Sequence, residues 1–545
     1  MNSLFILILV VAFFVIGYNL YGKYLEKLWD VNPDNKTPAY TKYDGIDYIP
    51  AKHWIILFGH HFSSIAGAGP ILGPVVAAVM WGWAPALLWI ILGSIFMGGV
   101  HDFSALVISL RHQGKTIGQI TENILGKRAE LIFSFFLWLS LILVIAVFSA
   151  VTAKTFVEEP HIVIPSFALI FIAILFGIIV YKKNANLIFC TVCSLALVAI
   201  FLYIGRYMPV EIPGKAAVKI WILILLLYSF FASVLPVNIL LQPRDYLGSF
   251  ILFFGLFFGF LGVAVSHPSM NAPAFISFNS SNGPVIPMMC VMIACGAISG
   301  FHGLISSGTT SKQIPNEKFS TRIGFGAMLT EGTLAAIALL CVCAGLCWNG
   351  AIQELNYPFL MQKGNWIGTF TIGYGQITGR ILSTDMGKLI AMIMINSFVL
   401  TTLDTATRVT RYITEELFGT SFGIKILKNR FIATGFVIIF ALYLAIGPWE
   451  KIWPVFGASN QLVAGITLFV CGCFLMMKRK NSLSALIPAI IMFIITISAL
   501  VYQGFGFYKN HHFLLGNISF ILVVLAIFII IEGINRYKNL RKHQN

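Results

Sequence analysis

Stretches of about 20 mainly apolar residues, the length an α-helix needs to cross a bilayer core, recur about fifteen times between residues 3 and 535. Once spans of this kind follow one another with short connections, few folds are left. In hydrocarbon every backbone polar group must be satisfied inside the structure, so the chain reads as an all-α polytopic membrane protein. Only 10% of the residues are charged, against roughly 25% in soluble domains, and no interval leaves room for a soluble domain.

The expected spans are 3–22, 53–80, 83–111, 129–156, 162–181, 186–206, 216–241, 247–267, 285–310, 321–348, 387–412, 430–448, 452–477, 484–503 and 513–535. With the N-terminus outside, Lys and Arg divide roughly three to one in favour of the cytoplasmic loops, which places the C-terminus inside. That bias accounts for the net charge of +15 and leaves no reason to invoke nucleic acid. The nine cysteines all fall in apolar spans and read as packing residues, with no metal-ligand spacing. The N-terminal run lacks a basic leader and a cleavage site, and reads as a retained helix.

Three spans break the plain pattern. The second contains "GHHFSSIAGAGPILGP" (59–74), the seventh carries Pro236 and Pro243, and the ninth contains "GAISGFHGLISSGTTSKQ". Discontinuous helices in matching positions of two halves point to a transporter's binding site. Spans 2 and 7 lie five apart and so have opposite orientation, the arithmetic of a five-plus-five inverted repeat. The expected organisation is 1–52 as N-terminal helix and loop, 53–210 and 211–415 as the repeats, and 416–545 as additional C-terminal helices with a basic tail. The spacing Gly59-x-His61…Gly67 echoes Gly300-x-His302…Gly308, but it pairs spans 2 and 9 and is set aside as packing chemistry.

Ionisable residues inside membrane spans are functional candidates by default. Asp102 is the clearest, on a stripe with Ser94, Gly98, His101, Ala105 and Ser109; the alternative is a structural pair with a histidine or Arg111. His60, His61 and His302 are candidates for proton exchange, and adjacent His60 and His61 cannot share a helix face. Asp404 and Arg408 have the spacing of an intrahelical ion pair on a stripe that ends at the cytoplasmic exit. Arg244 and Asp245 are expected to close the seventh span as a gate-like pair. Asn460 and Gln461 are expected to bond between helices. Glu331 is intramembrane with no role assigned. No nucleotide loop, nucleophile elbow or zinc-protease motif is present, which argues against an enzyme and against primary pumping.

"GHHFSSIAGAGPILGP", "GGVHDF", "LLQPRDY", "SSGTTSKQ", "LTTLDTATR" and "FGASNQL" occur in that order. Together they resemble the carbon starvation protein A family of bacterial inner-membrane transporters. The resemblance implies uptake of short peptides or pyruvate-like carboxylates by proton or sodium symport during nutrient limitation. A membrane nutrient sensor that binds without transport is the alternative. The family's wider superfamily implies the five-plus-five fold and a substrate site at the unwound first helix, with His60, His61, Ser63, Ser64, Gly67, Gly69 and Asn238 as candidate contacts. It also implies that Ser307, Thr309 and Thr310 are oxygen ligands for Na⁺, with protonation of Asp102 or His302 as the substitute in a proton-coupled member. Longer members tend to carry Gln where this chain has His101, which makes His101 a poor candidate for an indispensable group. The expected partners are a small-molecule substrate and the bilayer, with no cofactor beyond the coupling ion.

Overall fold

A computed structural model describes residues 1–350, 352–447 and 449–542. The chain is mostly helical, and the described residues include twelve helices long and apolar enough to cross a membrane, or thirteen when one bent pair is counted as a span. In chain order these are α1 (Ser3–Leu28), the bent pair α2 (Trp54–Ile65) and α3 (Gly69–Trp81), α4 (Trp83–Arg111), α5 (Lys127–Glu158), α6 (Pro160–Lys182), α7 (Leu187–Tyr207), α8 (Ala217–Val234) and α9 (Leu241–Ser266). After an interrupted segment come α10 (Gly300–Gly308), α11 (Glu317–Gly345), α12 (Trp366–Thr378), α13 (Thr384–Ser421) and α14 (Arg430–Ile446). The C-terminal helices are α15 (Gly457–Met477), α16 (Leu483–Lys509) and α17 (Phe513–Arg536).

The expected count of about fifteen differs from this at two places. The ninth expected span is not one helix, and α14 is only a 17-residue helix. The short helix α12 was not anticipated; its thirteen residues are fewer than a bilayer crossing needs, and it packs against α11 and α13.

The expected break in the second span is present. α2 ends at Ile65, Ala66 leaves helical geometry (φ −73°, ψ 16°), and α3 starts at Gly69 with a 43° change of direction. Pro70 sits in the first turn of α3, where a missing N–H costs no helical hydrogen bond.

Pro236 does not break a helix, which corrects the reading of the seventh span. α8 stops at Val234 because Leu235 precedes a proline and adopts extended geometry (φ −71°, ψ 153°), as steric clash with the proline ring demands. Residues 235–240 form the connection to α9, and Pro243 lies in the first turn of α9, where proline is tolerated. Arg244 and Asp245 therefore open α9 rather than close α8.

The second interruption lies in the ninth expected span. Short helical pieces at Cys290–Met292 and Ala294–Ala297 lead to two extended residues, Ile298 (φ −162°, ψ 131°) and Ser299 (φ −135°, ψ 133°), before α10 begins. The echo between Gly59-x-His61 and Gly300-x-His302 thus joins the two interrupted helices.

The interruptions pack on each other through glycine. A Cβ on Gly73 would lie 2.6 Å from Met292 O and 2.9 Å from Ile293 Cα, closer than any ordinary contact, so only glycine lets the two backbones approach. Around this centre α2 packs on α9, α3 on α11, α10 on α4, and α13 on α5.

Candidate functional site

A cavity of about 390 Å³ lies where the two interruptions meet. Gly67 and Gly69 reach it from the first break, and Ala294, Cys295 and Phe301 from the second. Most of the wall is apolar, including Leu72, Val144, Phe148, Val291 and Met292; Thr402, Asn460, Asn282 and Asn510 bring polar groups. This size and balance match small-molecule sites, which run about 300–1,000 Å³ with a few placed polar groups. The thirteen-residue α3 begins at the cavity with Gly69, and the positive end of its helix dipole suits an anionic group. Asn460 orders the second break: its Oδ1 accepts from Phe301 N at 2.8 Å, and its Nδ2 donates to Ser299 Oγ at 2.8 Å. Gln461 Nε2 donates to Cys290 O at 2.8 Å, so both residues bond between helices as expected.

Beside the second break lies a buried cluster of titratable groups. Asp102 accepts from His101 Nδ1 at 2.7 Å on one oxygen and from His302 Nδ1 at 3.0 Å on the other. His302 Nε2 stands 3.3 Å from Glu331 Oε2. All four side chains are fully buried. His101 and Glu331 thus belong to the cluster around Asp102 and His302. Sequence spacing could place His101 beside Asp102; it could not reveal Glu331, whose contact with His302 is made between helices.

A second buried network runs along α9 and α13. His60 Nδ1 lies 2.6 Å from Asp245 Oδ2. Arg244 Nη1 reaches Asp245 Oδ1 at 3.3 Å, Asp404 Oδ2 at 3.2 Å and Thr401 Oγ1 at 2.6 Å. Tyr228 donates to Asp404 Oδ2 at 2.6 Å. The expected Asp404–Arg408 ion pair is not formed, because interhelical partners outcompete the local one. Arg408 turns instead to Asp47, at 2.6 Å, and to the carbonyls of Ala232 and Leu235.

Asp47 is the centre of a clasp on the loop before α2. It also accepts from Arg411 Nη2 at 2.8 and 2.9 Å. Burial alone would push the Asp47 carboxyl up, but Arg411 and Arg408 outweigh it and hold the group well below its ordinary range. Nearby, Lys312 lies 3.4 Å above the ring of Tyr412. The pairing of Asp47 with α13 had no local sequence signal.

Of the expected substrate contacts, Gly67 and Gly69 line the cavity. His61 Nδ1 instead meets Thr310 Oγ1 at 2.8 Å, Ser63 donates to Asp245 O at 3.2 Å, and Ser64 pairs with Thr405 at 3.0 Å. Asn238 lies half-buried in the 235–240 connection. Ser307 and Thr309 donate to the carbonyls of Gly303 and Ile305, and Thr310 faces His61. Among the described residues no group of three or more His, Cys, Asp or Glu forms a metal-holding set.

Helices interrupted at a shared cavity recur in membrane transporters, and solved structures share this fold. The manganese transporter of Eremococcus coleocola matches with a TM-score of 0.52 over 92% of this chain and 99% of that chain, at 14% identity. MhsT in complex with L-phenylalanine matches with a TM-score of 0.50 over 90% of this chain and 99% of that chain, at 10% identity; both likenesses are of fold. The chain belongs to the carbon starvation protein CstA family, whose model matches residues 2–364 and 348–499. It is 32% identical to the peptide transporter CstA of Bacillus subtilis, over 99% of this chain and 98% of the relative. Identity is 31% to the peptide transporter CstA of Escherichia coli, over 91% and 80%. The pyruvate/proton symporter BtsT of the same organism is 29% identical, over 92% and 81%. These relatives are transporters, not enzymes, and this chain is a multi-pass membrane transporter.

Proposed function

We propose that the protein imports small carboxylates or short peptides across the bacterial plasma membrane by proton symport. The observation that carries this reading is the cavity at the two helix interruptions. Its volume suits a molecule of pyruvate to dipeptide size, its apolar wall suits small aliphatic groups, and the α3 N-terminus suits a carboxylate. The names of the relatives, peptide transporters and a pyruvate/proton symporter, support the same substrate classes. The buried Asp102–His302 cluster and the name of one relative, a pyruvate/proton symporter, support a proton as the coupling ion.

In this reading the segments 53–210 and 211–415 are the two halves of the transport core. The interruption at 66–68 falls in the first helix of one segment and that at 298–299 in the third span of the other, and 416–545 adds flanking helices. The Asp47 clasp faces the cytoplasm, and the Arg244–Asp245–Asp404 network stands between it and the cavity.

Purified protein in liposomes tests the proposal. Labelled pyruvate or dialanine is expected to accumulate under an inward proton gradient and not under sodium alone. Binding without accumulation would indicate a sensor; accumulation driven only by sodium would refute proton coupling.

A further inference from the structure

We infer that Glu331, rather than Asp102, carries the transported proton, and that His302 exchanges it. The inference rests on the proposed proton symport and names the residue that performs it. Asp102 is well provided for as an anion: one imidazole N–H reaches each of its oxygens, from His101 and from His302. Glu331 has no such support. Both of its carboxyl oxygens are buried without a hydrogen-bond partner among the described residues. His302 Nε2, 3.3 Å from Oε2, is within ion-pair reach but off hydrogen-bond alignment. A charge buried without hydrogen bonds is costly, so the neutral acid is the form this site suits in this conformation.

The imidazole tautomer makes the exchange explicit. With its Nδ1–H given to Asp102, neutral His302 presents a lone pair on Nε2 to Glu331. The Glu331 O–H bond breaks as an Nε2–H bond forms, leaving a carboxylate and an imidazolium that Asp102 and Glu331 flank. No other reactant is required, and the reverse step restores the acid.

The groups around Glu331 are few. His302 faces it from α10, Asp102 from α4, with His101 on the far side of Asp102, and Cys295 from the interrupted segment; His61 of α2 lies within electrostatic reach of Asp102 and His302. Tyr18 of α1 meets α11 at Gly326, more than a turn away, and Tyr374 of α12 is bonded to Gly255 O. Cys295 also lines the cavity, and a Cβ on Gly296 would touch Ala335, one turn beyond Glu331. The second break therefore lies between the substrate cavity and the proton-bearing acid. A substrate that moves this break changes the surroundings of Glu331, which is what coupling needs.

The experiment uses the full chain in liposomes, with labelled pyruvate and dialanine as probes. Under a gradient of about one pH unit, with the membrane potential clamped at zero by potassium and valinomycin, a one-proton symporter accumulates substrate about tenfold at equilibrium. Glu331→Gln is expected to keep substrate exchange at equal pH while its accumulation falls to unity. Glu331→Asp is expected to accumulate with a displaced pH profile. If Glu331→Gln does not fold, infrared difference spectra across a pH jump still decide: a protonated-carboxyl band is expected in the wild type and shifted in Glu331→Asp. Wild-type accumulation by Glu331→Gln, or a band unchanged in Glu331→Asp, would overturn the inference and leave proton symport standing. A wild type that the proton gradient does not drive would overturn both.

Discussion

Replacing Asp47 by Asn is expected to weaken the clasp it forms with Arg408 and Arg411 by a measurable amount. Asp47 is the shared anion of Arg408 and Arg411, whose side chains are 0% and 2% exposed, against 12% for its own. Removing one partner of a buried ion pair costs about 3–5 kcal/mol, mostly for the charge left behind. Asn keeps some hydrogen bonding and Arg408 keeps two carbonyls, so the lower end applies. About 3 kcal/mol corresponds to roughly a hundredfold shift in a two-state population. The assay is the melting temperature of purified Asp47→Asn beside wild type, from about pH 8 down to about pH 5. The folded carboxyl is held below its ordinary range, so its stabilisation is complete above that range and is lost only as pH falls through the lowered value. The deficit of the variant is therefore expected to be constant over this window. Equal melting temperatures, or a deficit that disappears toward pH 5, would refute the clasp.

Three further outcomes follow from the cavity walls. Gly73→Ala places a methyl 2.6 Å from Met292 O and is expected to cost about 1–3 kcal/mol by overpacking, read as a lower melting temperature and lost uptake. Asn460→Ala removes the side chain that accepts from Phe301 N; a lost cap of this kind costs about 1 kcal/mol, and weaker substrate binding by calorimetry is the expected sign. In a protein with Cys193→Ser and Cys347→Ser, which removes the exposed thiols, a small maleimide is expected to label Cys295 and bound pyruvate or dialanine to protect it. Labelling unaffected by either substrate would place the substrate elsewhere.

The first helix break was legible because glycine, proline and polar residues interrupt an apolar run where no connection between spans was due. Pro236 shows the limit of that signal. A proline just after one span and a proline inside a span look alike until the chain's direction is known, and the expected break there became a connection. The second break carries no proline; after its extended residues Ile298 and Ser299, the chain is held at Ser299 and Phe301 by Asn460 from a distant helix. The candidate acids and histidines were found from their cost in the membrane, but their partners were not. Asp404 and Arg408 had ideal local spacing and still chose Arg244 and Asp47, because burial rewards the network that satisfies most donors, whatever the sequence separation.

His60 and His61 are joined by a single peptide bond, and neighbouring helical side chains point about 100° apart. One is moored to Asp245 on α9 and the other to Thr310 just beyond α10. Ser63 adds a bond to Asp245 O, and Ser64 one to Thr405 on α13. Four successive contacts over the last two turns of α2 thus face three different neighbours, so the helix cannot roll about its axis without parting at least one of them.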